Sequence, residues 1–542
     1  MGFIAFGLPD YKKRKIPLMK NKPILILTVF MVLFVSASCS QKHGKLVLSS
    51  DTKPKNVILI IGDGMGPEQV GLLLTYARQA PHSVISDQIT CFDRIMREDG
   101  SLGISLTYPK DVLVTDSAAS ASQLATGQFS GSEMIGLNYK GETVPTVLER
   151  AIQAGKSVGL VTDTMVTQAT PAAFAAHKPH RKMENAIALE MLNIGPDVIL
   201  GGGLANWIPQ EANVKTSRVR KEVEEMTQGS VPLKSKRKDN QNLLATAREK
   251  GYNLAFNRAQ MEAASGKLIG LFAESAMPNA IAVSNSLNDP GRSIPTLKEM
   301  ATKAVDILSQ NDKGFFLMIE AGQIDWAAHS NDTGLMLHEM IRLDETVNAV
   351  LDWADDREDT LIILTADHTT GGFGFSYTAG GKSGYNFGNA SVLDKLYGQK
   401  LSYGDIFDQF YQLSKTEQTP QNLVRLVNQY TAFPITLSQA QRILETEDNP
   451  FYMAGKGKFN AKQVPKLDNK DEFYPSQNYS NIHALLALAV AGDQFVVWNT
   501  GTHTNTPVLV FTRGAVGARK PFAGVLHHTQ LGQYAMDAVM EK

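Results

Sequence analysis

Short apolar runs alternate along this chain with longer amphipathic stretches. The apolar runs are continuous, and continuous runs indicate strands that are buried on both faces of a mainly parallel sheet. The stretch 335–353 has apolar residues at helical spacing, as expected for a helix packed on one face of such a sheet. The alternation predicts a doubly wound α/β fold, with a mainly parallel central sheet flanked by helices. The predicted strands are 56–61, 157–162, 197–200, 314–319, 360–364 and 507–511.

Two stretches depart from this alternation. Residues 208–248 are rich in charged and amide side chains, which predicts an excursion on the surface. Residues 376–495 are rich in Tyr, Gln and Asn and contain several helical patterns, with no strong strand before 494–498. We therefore expect 376–495 to form an inserted, mostly helical subdomain or cap. The core of the fold would then consist of residues 55–375 and 495–542.

The N-terminus has the layout of an export signal. Residues 24–35 form an apolar run of twelve, which is too short for an ordinary transmembrane helix. Basic residues precede the run and small residues follow it, so residues 1–38 are predicted to be a signal peptide, with Met19 as a second candidate for the start of translation. Cys39 comes directly after the small residues, as in a bacterial lipoprotein, although it could also be incidental to a simple secretory signal. We expect an exported, periplasmic protein, anchored to a bacterial membrane by a lipid on Cys39 and a polar tether at 39–54.

Composition and charge exclude several classes of protein. The chain has 542 residues, of which 43% are hydrophobic and 20% are charged, which is ordinary for a globular protein with a large core. Six basic residues and one acidic residue fall within 1–38, so the rest of the chain is mildly acidic. No nucleic-acid-binding surface is therefore evident, because such a surface needs a basic footprint. The second of the two cysteines, Cys91, is expected to be a small buried hydrophobic residue.

Polar side chains cluster just beyond the predicted strands. In an open α/β sheet, ligands bind outside the carboxyl ends of the strands. Mixed Asp and His ligands suit Zn²⁺, whereas a group of oxygens alone suits Mg²⁺. Any one of these residues by itself would more ordinarily be a helix cap or a buried structural histidine, but their joint recurrence predicts a metal centre. The four carboxylates and three histidines are Asp63, Glu320, Asp325, Asp367, His329, His368 and His503.

A second signal is the segment 114–122, in which Thr-Asp-Ser precedes a run of small residues. The pattern predicts a loop that enters a closely packed helix. Ser117 at the N-terminus of that helix would face free N–H groups and a partial positive charge, which favour a phosphate or an alkoxide. Ser117 as a simple N-cap remains an alternative. Ser120 and Ser122 are expected to be packing residues, and the pair His527-His528 a solvated or subunit-contact feature.

In their order along the chain, these motifs resemble those of the alkaline phosphatase family. The resemblance covers roughly residues 55–375 and 495–542. It implies an enzyme that hydrolyses small-molecule phosphate monoesters through a covalent phosphoserine, and that is often a homodimer. A phosphodiesterase of the same superfamily is the alternative, and a non-catalytic metal-binding lipoprotein is a third possibility. The segments that carry the resemblance are 62–66, 115–120, 170–181, 320–329, 365–368 and 501–504.

The resemblance also implies two zinc ions and one magnesium ion. The first zinc would be held by Asp325, His329 and His503. The second would be held by Asp63, Asp367 and His368. Magnesium would be held by Asp63, Thr170 and Glu320.

The same resemblance implies roles for the residues around the substrate. Ser117 would be the nucleophile, and Arg181 would bind the phosphate. Trp326 stands where the best-known members carry Lys or His, and would line the substrate pocket without adding a cation. Gln168 stands where those members carry Asp or His, so a neutral amide replaces a side chain associated with the magnesium site.

Overall fold

The structure is a computed structural model that describes residues 53–97, 100–381, 384–455, 457–467 and 478–540. The predicted signal peptide, Cys39 and most of the tether lie outside the described residues. Within the described ranges, no helix has the length and apolar character needed to cross a membrane.

The described strands and helices alternate along most of the chain. The strands are β1 (Asn56–Gly62), β2 (Ser101–Leu106), β3 (Ser157–Met165), β4 (Val198–Gly202), β5 (Asn253–Ala255), β6 (Leu268–Leu271), β7 (Phe315–Ala321), β8 (Thr360–Thr365), β9 (Thr369–Thr370), β10 (Phe373–Phe375), β11 (Thr378–Ala379), β12 (Tyr385–Asn386), β13 (Thr446–Asp448), β14 (Gln463–Pro465), β15 (Val496–Trp498), β16 (His503–Thr504), β17 (Val508–Arg513) and β18 (Gly524–His527). The helices are α1 (Pro67–Gln79), α2 (Cys91–Arg97), α3 (Ser117–Thr126), α4 (Val147–Gln153), α5 (Ala169–Ala175), α6 (Glu184–Ile194), α7 (Arg218–Thr227), α8 (Leu243–Glu249), α9 (Arg258–Ala263), α10 (Ala280–Ser286), α11 (Leu297–Leu308), α12 (Gln323–His329), α13 (Thr333–Ala354), α14 (Ser391–Tyr397), α15 (Tyr403–Gln412), α16 (Pro420–Tyr430), α17 (Leu437–Ile443), α18 (Asn478–Gln494), α19 (Val516–Arg519) and α20 (His528–Val539).

A ten-stranded sheet forms the centre of the fold, in the order β18-β2-β17-β8-β1-β7-β3-β4-β6-β5. Strand β17 runs antiparallel to both of its neighbours, and the other neighbouring pairs are parallel. The prediction of a mainly parallel sheet flanked by helices is therefore confirmed. All six predicted strands are present in it. The segment 494–498 instead provides β15, which pairs with β10 outside the large sheet.

The central strand β1 shows why its sequence is continuously apolar. Ile58 and Ile60 pack into one hydrophobic cluster, together with side chains of α1, α11 and α13. Val57, Leu59 and Ile61 pack into a second cluster, with side chains of α3, α4 and α20. Successive side chains point to opposite faces of a sheet, so a strand covered by helices on both faces needs apolar residues at every position.

The two stretches that interrupt the alternation both contribute buried residues. Within 208–248, Val223 and Val231 join a third hydrophobic cluster, and Arg237 is only 3% exposed. The described part of 376–495 contains α14 to α18, together with short two-stranded sheets. Its apolar side chains, such as Leu396 and Phe407, join the cluster that contains α13. Neither stretch is a purely solvent-exposed insertion.

Candidate metal centre

Three neighbouring strands bring the predicted ligands to one edge of the sheet. Asp63 follows β1, Glu320 lies near the end of β7, and Asp367 follows β8. Strand β1 pairs in parallel with both β7 and β8, so the carboxyl ends of the three strands lie side by side. The antiparallel pair of β16 with β9 adds His503 opposite Thr370. Residues more than 400 positions apart in sequence thereby meet at the site.

The first group of candidate ligands is Asp325, His329 and His503, whose ligand atoms all lie within 4.8 Å of one another. Helix α12 places Asp325 and His329 one turn apart, with Oδ2 of Asp325 3.3 Å from Nε2 of His329. Nε2 of His503 lies 3.1 Å from Nε2 of His329 and 3.7 Å from Oδ1 of Asp325. Two imidazole nitrogens and a carboxylate thus converge on one point, which is the donor set of many zinc sites.

Backbone carbonyl groups orient both histidines of this group. Nδ1 of His329 lies 2.7 Å from the carbonyl oxygen of Gly501, and Nδ1 of His503 lies 2.8 Å from that of Thr115. A carbonyl oxygen only accepts, so each ring carries its proton on Nδ1 and donates it there. The lone pair of each Nε2 is then directed into the group, as in histidines that bind metals.

The second group is Asp63, Asp367 and His368, and all three side chains are buried. Nε2 of His368 lies 3.4 Å from Oδ1 of Asp63 and 3.2 Å from Oδ2 of Asp367. These two carboxylate oxygens are buried and have no hydrogen-bond partner. The rings of His368 and His503 stack with centroids 3.7 Å apart, so the two groups are immediate neighbours. Buried carboxylate oxygens without a donor need a cation, and a divalent metal fits this set.

The electrostatics of the second group support the same conclusion. Burial and the nearby Asp325 raise the pKa of Asp367 to about 8. Burial and then Asp367 raise the pKa of Asp63 well above its usual range. Burial lowers the pKa of His368, which keeps its imidazole neutral and available as a ligand. Packing several acids together is unfavourable without a compensating positive charge, and a bound metal ion would provide it.

A third set of groups contains only oxygen donors. Oδ2 of Asp63 lies 3.5 Å from Oγ1 of Thr170, whereas Oδ1 is the oxygen near His368. Oε2 of Glu320 accepts hydrogen bonds from the hydroxyls of Thr162 at 2.5 Å and Thr164 at 3.2 Å. Its other oxygen, Oε1, is buried and has no hydrogen-bond partner. Oxygen donors around an unsatisfied carboxylate are the kind of environment that Mg²⁺ prefers.

Ser117 is the first residue of α3, and it is not the N-cap. Asp116 caps the helix, because its Oδ1 accepts hydrogen bonds from the backbone N–H groups of Ala118 and Ala119. The hydroxyl of Ser117 instead lies 3.1 Å from Nε2 of His368, inside the second group. Ser120 lies deeper in the helix, and its hydroxyl donates to the carbonyl oxygen of Asp367 at 2.5 Å. Of the serines in this helix, Ser117 is therefore the one whose oxygen faces candidate metal ligands.

Arg181 and Trp326 also lie next to these groups. The guanidinium of Arg181 donates to Oε1 of Gln168 at 3.2 Å and lies 4.0 Å from Oδ1 of Asp116, the residue before Ser117. Trp326 is the residue after Asp325 on α12 and is partly exposed.

The contacts of two residues, Thr370 and His528, were not predicted from the sequence. The hydroxyl of Thr370 donates to Oδ1 of Asp325 at 2.5 Å and lies 3.2 Å from Nδ1 of His368, so it connects the two groups. His528 was expected to be solvated or at a subunit contact, and this was wrong. The ring of His528 is fully buried, with Nε2 2.8 Å from the carbonyl oxygen of Asp367 and Nδ1 2.7 Å from the hydroxyl of Ser105. The spacing of Thr370 two residues after His368 was a usable signal, whereas His528 meets Asp367 only through tertiary packing.

Comparisons with known proteins identify the relatives of this chain. A family model described as alkaline phosphatase matches residues 54–541. Alkaline phosphatase 4 of Bacillus subtilis is 34% identical over 367 residues, which are 66% of this chain and 71% of that protein. Alkaline phosphatase 3 of the same organism is 29% identical over 500 residues, which are 90% of this chain and 89% of that protein.

A solved structure shows the same fold. The crystal structure of Thermus thermophilus alkaline phosphatase superposes with a TM-score of 0.72 at 25% identity, covering 92% of this chain and 94% of that one. The family match spans nearly all of the described residues, and the candidate ligand groups lie within it. This protein belongs to the alkaline phosphatase family.

Proposed function

We propose that the protein hydrolyses phosphate monoesters through a phosphoserine formed on Ser117. The observation that carries the proposal is the position of the Ser117 hydroxyl, 3.1 Å from Nε2 of His368, where two groups of candidate metal ligands adjoin. The family match and the relatives named alkaline phosphatase support the reaction class.

We propose that the two mixed Asp and His groups bind zinc and that the oxygen group binds magnesium. The unpartnered oxygens of Asp63, Asp367 and Glu320 fit these ions. Two zinc ions held there would supply Lewis-acid stabilisation of the attacking and leaving oxygens of an in-line displacement. The proposed ligands are Asp325, His329 and His503 for the first zinc, Asp63, Asp367 and His368 for the second, and Asp63, Thr170 and Glu320 for magnesium.

The side chains of the chain itself have distinct tasks in the reaction. Ser117 Oγ attacks phosphorus, the bond from phosphorus to the alcohol oxygen breaks, and the alcohol gains the proton that the serine gives up. Water then attacks the phosphoserine, which releases inorganic phosphate and restores the hydroxyl. Arg181 offers a planar set of donors to two phosphate oxygens in both steps. Trp326 lines the same pocket beside Asp325.

The test compares initial rates on p-nitrophenyl phosphate and bis(p-nitrophenyl) phosphate, using protein loaded with zinc and magnesium. We expect a large preference for the monoester, loss of activity with EDTA, and loss of activity in Ser117→Ala. Ser122→Ala is the matched control, because Ser122 is in the same helix but its hydroxyl donates to the carbonyl oxygen of Met134. A preference for the diester would assign the protein to phosphodiester hydrolysis instead. Activity that survives in Ser117→Ala would exclude the phosphoserine.

We further propose that the protein is exported and lipid-anchored through Cys39. The support is the order of basic residues, apolar run, small residues and cysteine in the sequence. Incorporation of labelled palmitate into the wild-type protein and not into Cys39→Ala would support the anchor, and equal labelling of the two would exclude it. A homodimer is also proposed from the family, and light scattering of the purified protein would measure its mass directly.

A further inference from the structure

The phosphate-binding residue of the proposed function, Arg181, is held at both its backbone and its side chain. Its backbone N–H donates to the carbonyl oxygen of Glu133 at 2.8 Å. One terminal nitrogen of its guanidinium, Nη2, donates a hydrogen bond to Oε1 of Gln168 at 3.2 Å. The other end lies 4.0 Å from Oδ1 of Asp116, and that oxygen already accepts two backbone N–H groups of α3. Gln168 is therefore the closest polar partner of the guanidinium among the described residues.

Gln168 is itself fixed by its neighbours. Its backbone N–H donates to the carbonyl oxygen of Met165 at 2.8 Å, and its Oε1 also accepts the N–H of Ala169 at 3.1 Å as the N-cap of α5. An amide oxygen has two lone pairs, so it can accept from Ala169 and Arg181 together. The amide thus cannot rotate away from Arg181 without giving up the cap of α5.

A network of hydrogen bonds connects the segments around Gln168 and Arg181. Thr167, the residue before Gln168, donates its hydroxyl to Oε2 of Glu184 at 3.1 Å, and Glu184 begins α6 three residues after Arg181. Asn206 donates to the same carboxylate oxygen at 2.6 Å. The buried guanidinium of Arg237 in turn donates to the carbonyl oxygen of Asn206 at 3.1 Å. These hydrogen bonds hold the segments that carry Gln168 and Arg181 in a fixed position relative to each other.

The chemistry of the amide suits this position. Arg181 has five N–H donors in a planar fork, and a phosphate needs only one edge of that fork. Gln168 accepts from only one terminal nitrogen, Nη2, so it restricts the rotation of the guanidinium and reduces the ordering cost of binding while it leaves other N–H donors for the phosphate. Because an amide carries no charge, it does this without a negative charge that would repel a phosphate dianion.

We propose that Gln168 is a positioning residue for Arg181, which orients the guanidinium toward the phosphate of the ester before it binds. The inference rests on the proposed function of Arg181. Arg181 binds the phosphate in the ground state and in the transition state alike. A loss of its orientation therefore weakens substrate binding more than it slows the transfer of the phosphoryl group.

The experiment uses Gln168→Met, which keeps the length of the side chain and removes the oxygen. On p-nitrophenyl phosphate we expect KM to rise about 3- to 10-fold with kcat within about twofold, which is the fold-change expected for the loss of one ordinary intramolecular hydrogen bond. Calorimetry with inorganic phosphate and metal-loaded Ser117→Ala protein should show the same loss of affinity when Gln168→Met is added. In an Arg181→Ala background, Gln168→Met should have no further effect, because the interaction that it removes is already absent.

Asn242→Leu is the matched control for the loss of a helix cap. Asn242 caps α8, which has seven residues as α5 does, and its Oδ1 accepts from Ala245 at 3.1 Å. We expect this control to lower the melting temperature and leave phosphate affinity unchanged. Unchanged phosphate affinity in Gln168→Met, or an equal loss in the Arg181→Ala background, would overturn the inference. A different result would contradict the proposed function: wild-type protein that does not hydrolyse the ester, or that hydrolyses it equally well when Ser117 is replaced by Ala.

Discussion

Thr370 offers a sharp test of how the two groups of ligands are coupled. Its buried hydroxyl donates to Oδ1 of Asp325 at 2.5 Å and lies 3.2 Å from Nδ1 of His368, so one side chain orients a ligand of each proposed zinc site. Thr370→Val keeps the shape of the side chain and removes both contacts. A hydrogen bond to a charged group contributes about 1.5–3 kcal/mol, and loss of a partner that orients a metal ligand typically costs about 10- to 100-fold in metal affinity.

We therefore expect Thr370→Val to weaken zinc binding by about 10- to 100-fold. The assay is a competition between the protein and a chromophoric chelator of known zinc affinity, followed by metal analysis of the protein after dialysis. Thr370→Ser should restore most of the affinity because it restores the hydroxyl. Thr369→Val is the matched control: Thr369 is the adjacent buried threonine, and its hydroxyl donates to the carbonyl oxygen of Thr506 at 3.2 Å. Zinc affinity within twofold of wild type in Thr370→Val, with the fold intact, would refute the reasoning.

Three further predictions concern other parts of the molecule. His528→Leu removes two hydrogen bonds from a fully buried ring and should cost about 1–3 kcal/mol in urea unfolding of the metal-loaded protein; an unchanged midpoint would contradict this. Trp326→Lys adds a cation beside Asp325 and should strengthen inhibition by inorganic phosphate several-fold, whereas an equal inhibition constant would show that the position does not sense the phosphate. Burial raises the pKa of Glu299, but several hydrogen bonds and charge interactions, first among them the hydrogen bond from Arg292, together outweigh burial and lower that pKa from 4.5 to about 2. The stability from this shift is present above pH 4.5 and lost as the pH falls through about 2, so Arg292→Met should lower the melting temperature at pH 7 and have a smaller effect near pH 2.

The sequence was most informative for the interior of the sheet. Strands such as β1, β7 and β8 are buried on both faces, and each therefore appears as an uninterrupted apolar run. Strand β2 was not predicted, because it lies near the edge of the sheet and some of its residues are exposed. Strand β5 has only three residues, which is too short for a periodic pattern to emerge.

The candidate ligands could be recognised because the chemistry of the site is concentrated at strand ends. A parallel sheet places those ends together, so the sequence alone predicted that Asp63 and Asp367 lie at the same edge of the sheet, although they are far apart along the chain. Asp116 shows the limit of this reasoning. Spacing alone could not decide whether Asp116 or Ser117 caps α3, since both residue types are good N-caps. Only the backbone geometry shows that Asp116 is the cap, which leaves the hydroxyl of Ser117 to face His368.

Local sequence patterns by themselves determined the class of fold, the strands of its interior and the set of polar residues at their ends, because burial and periodicity are properties of short segments. The tertiary structure decided which partners those residues have. His338 on α13 is buried, for example, and its Nε2 lies 2.8 Å from the carbonyl oxygen of Tyr397. His528 likewise reaches Asp367 across 161 residues. Hydrogen bonds between distant segments depend on how helices pack against the sheet, and no periodicity within either segment encodes them.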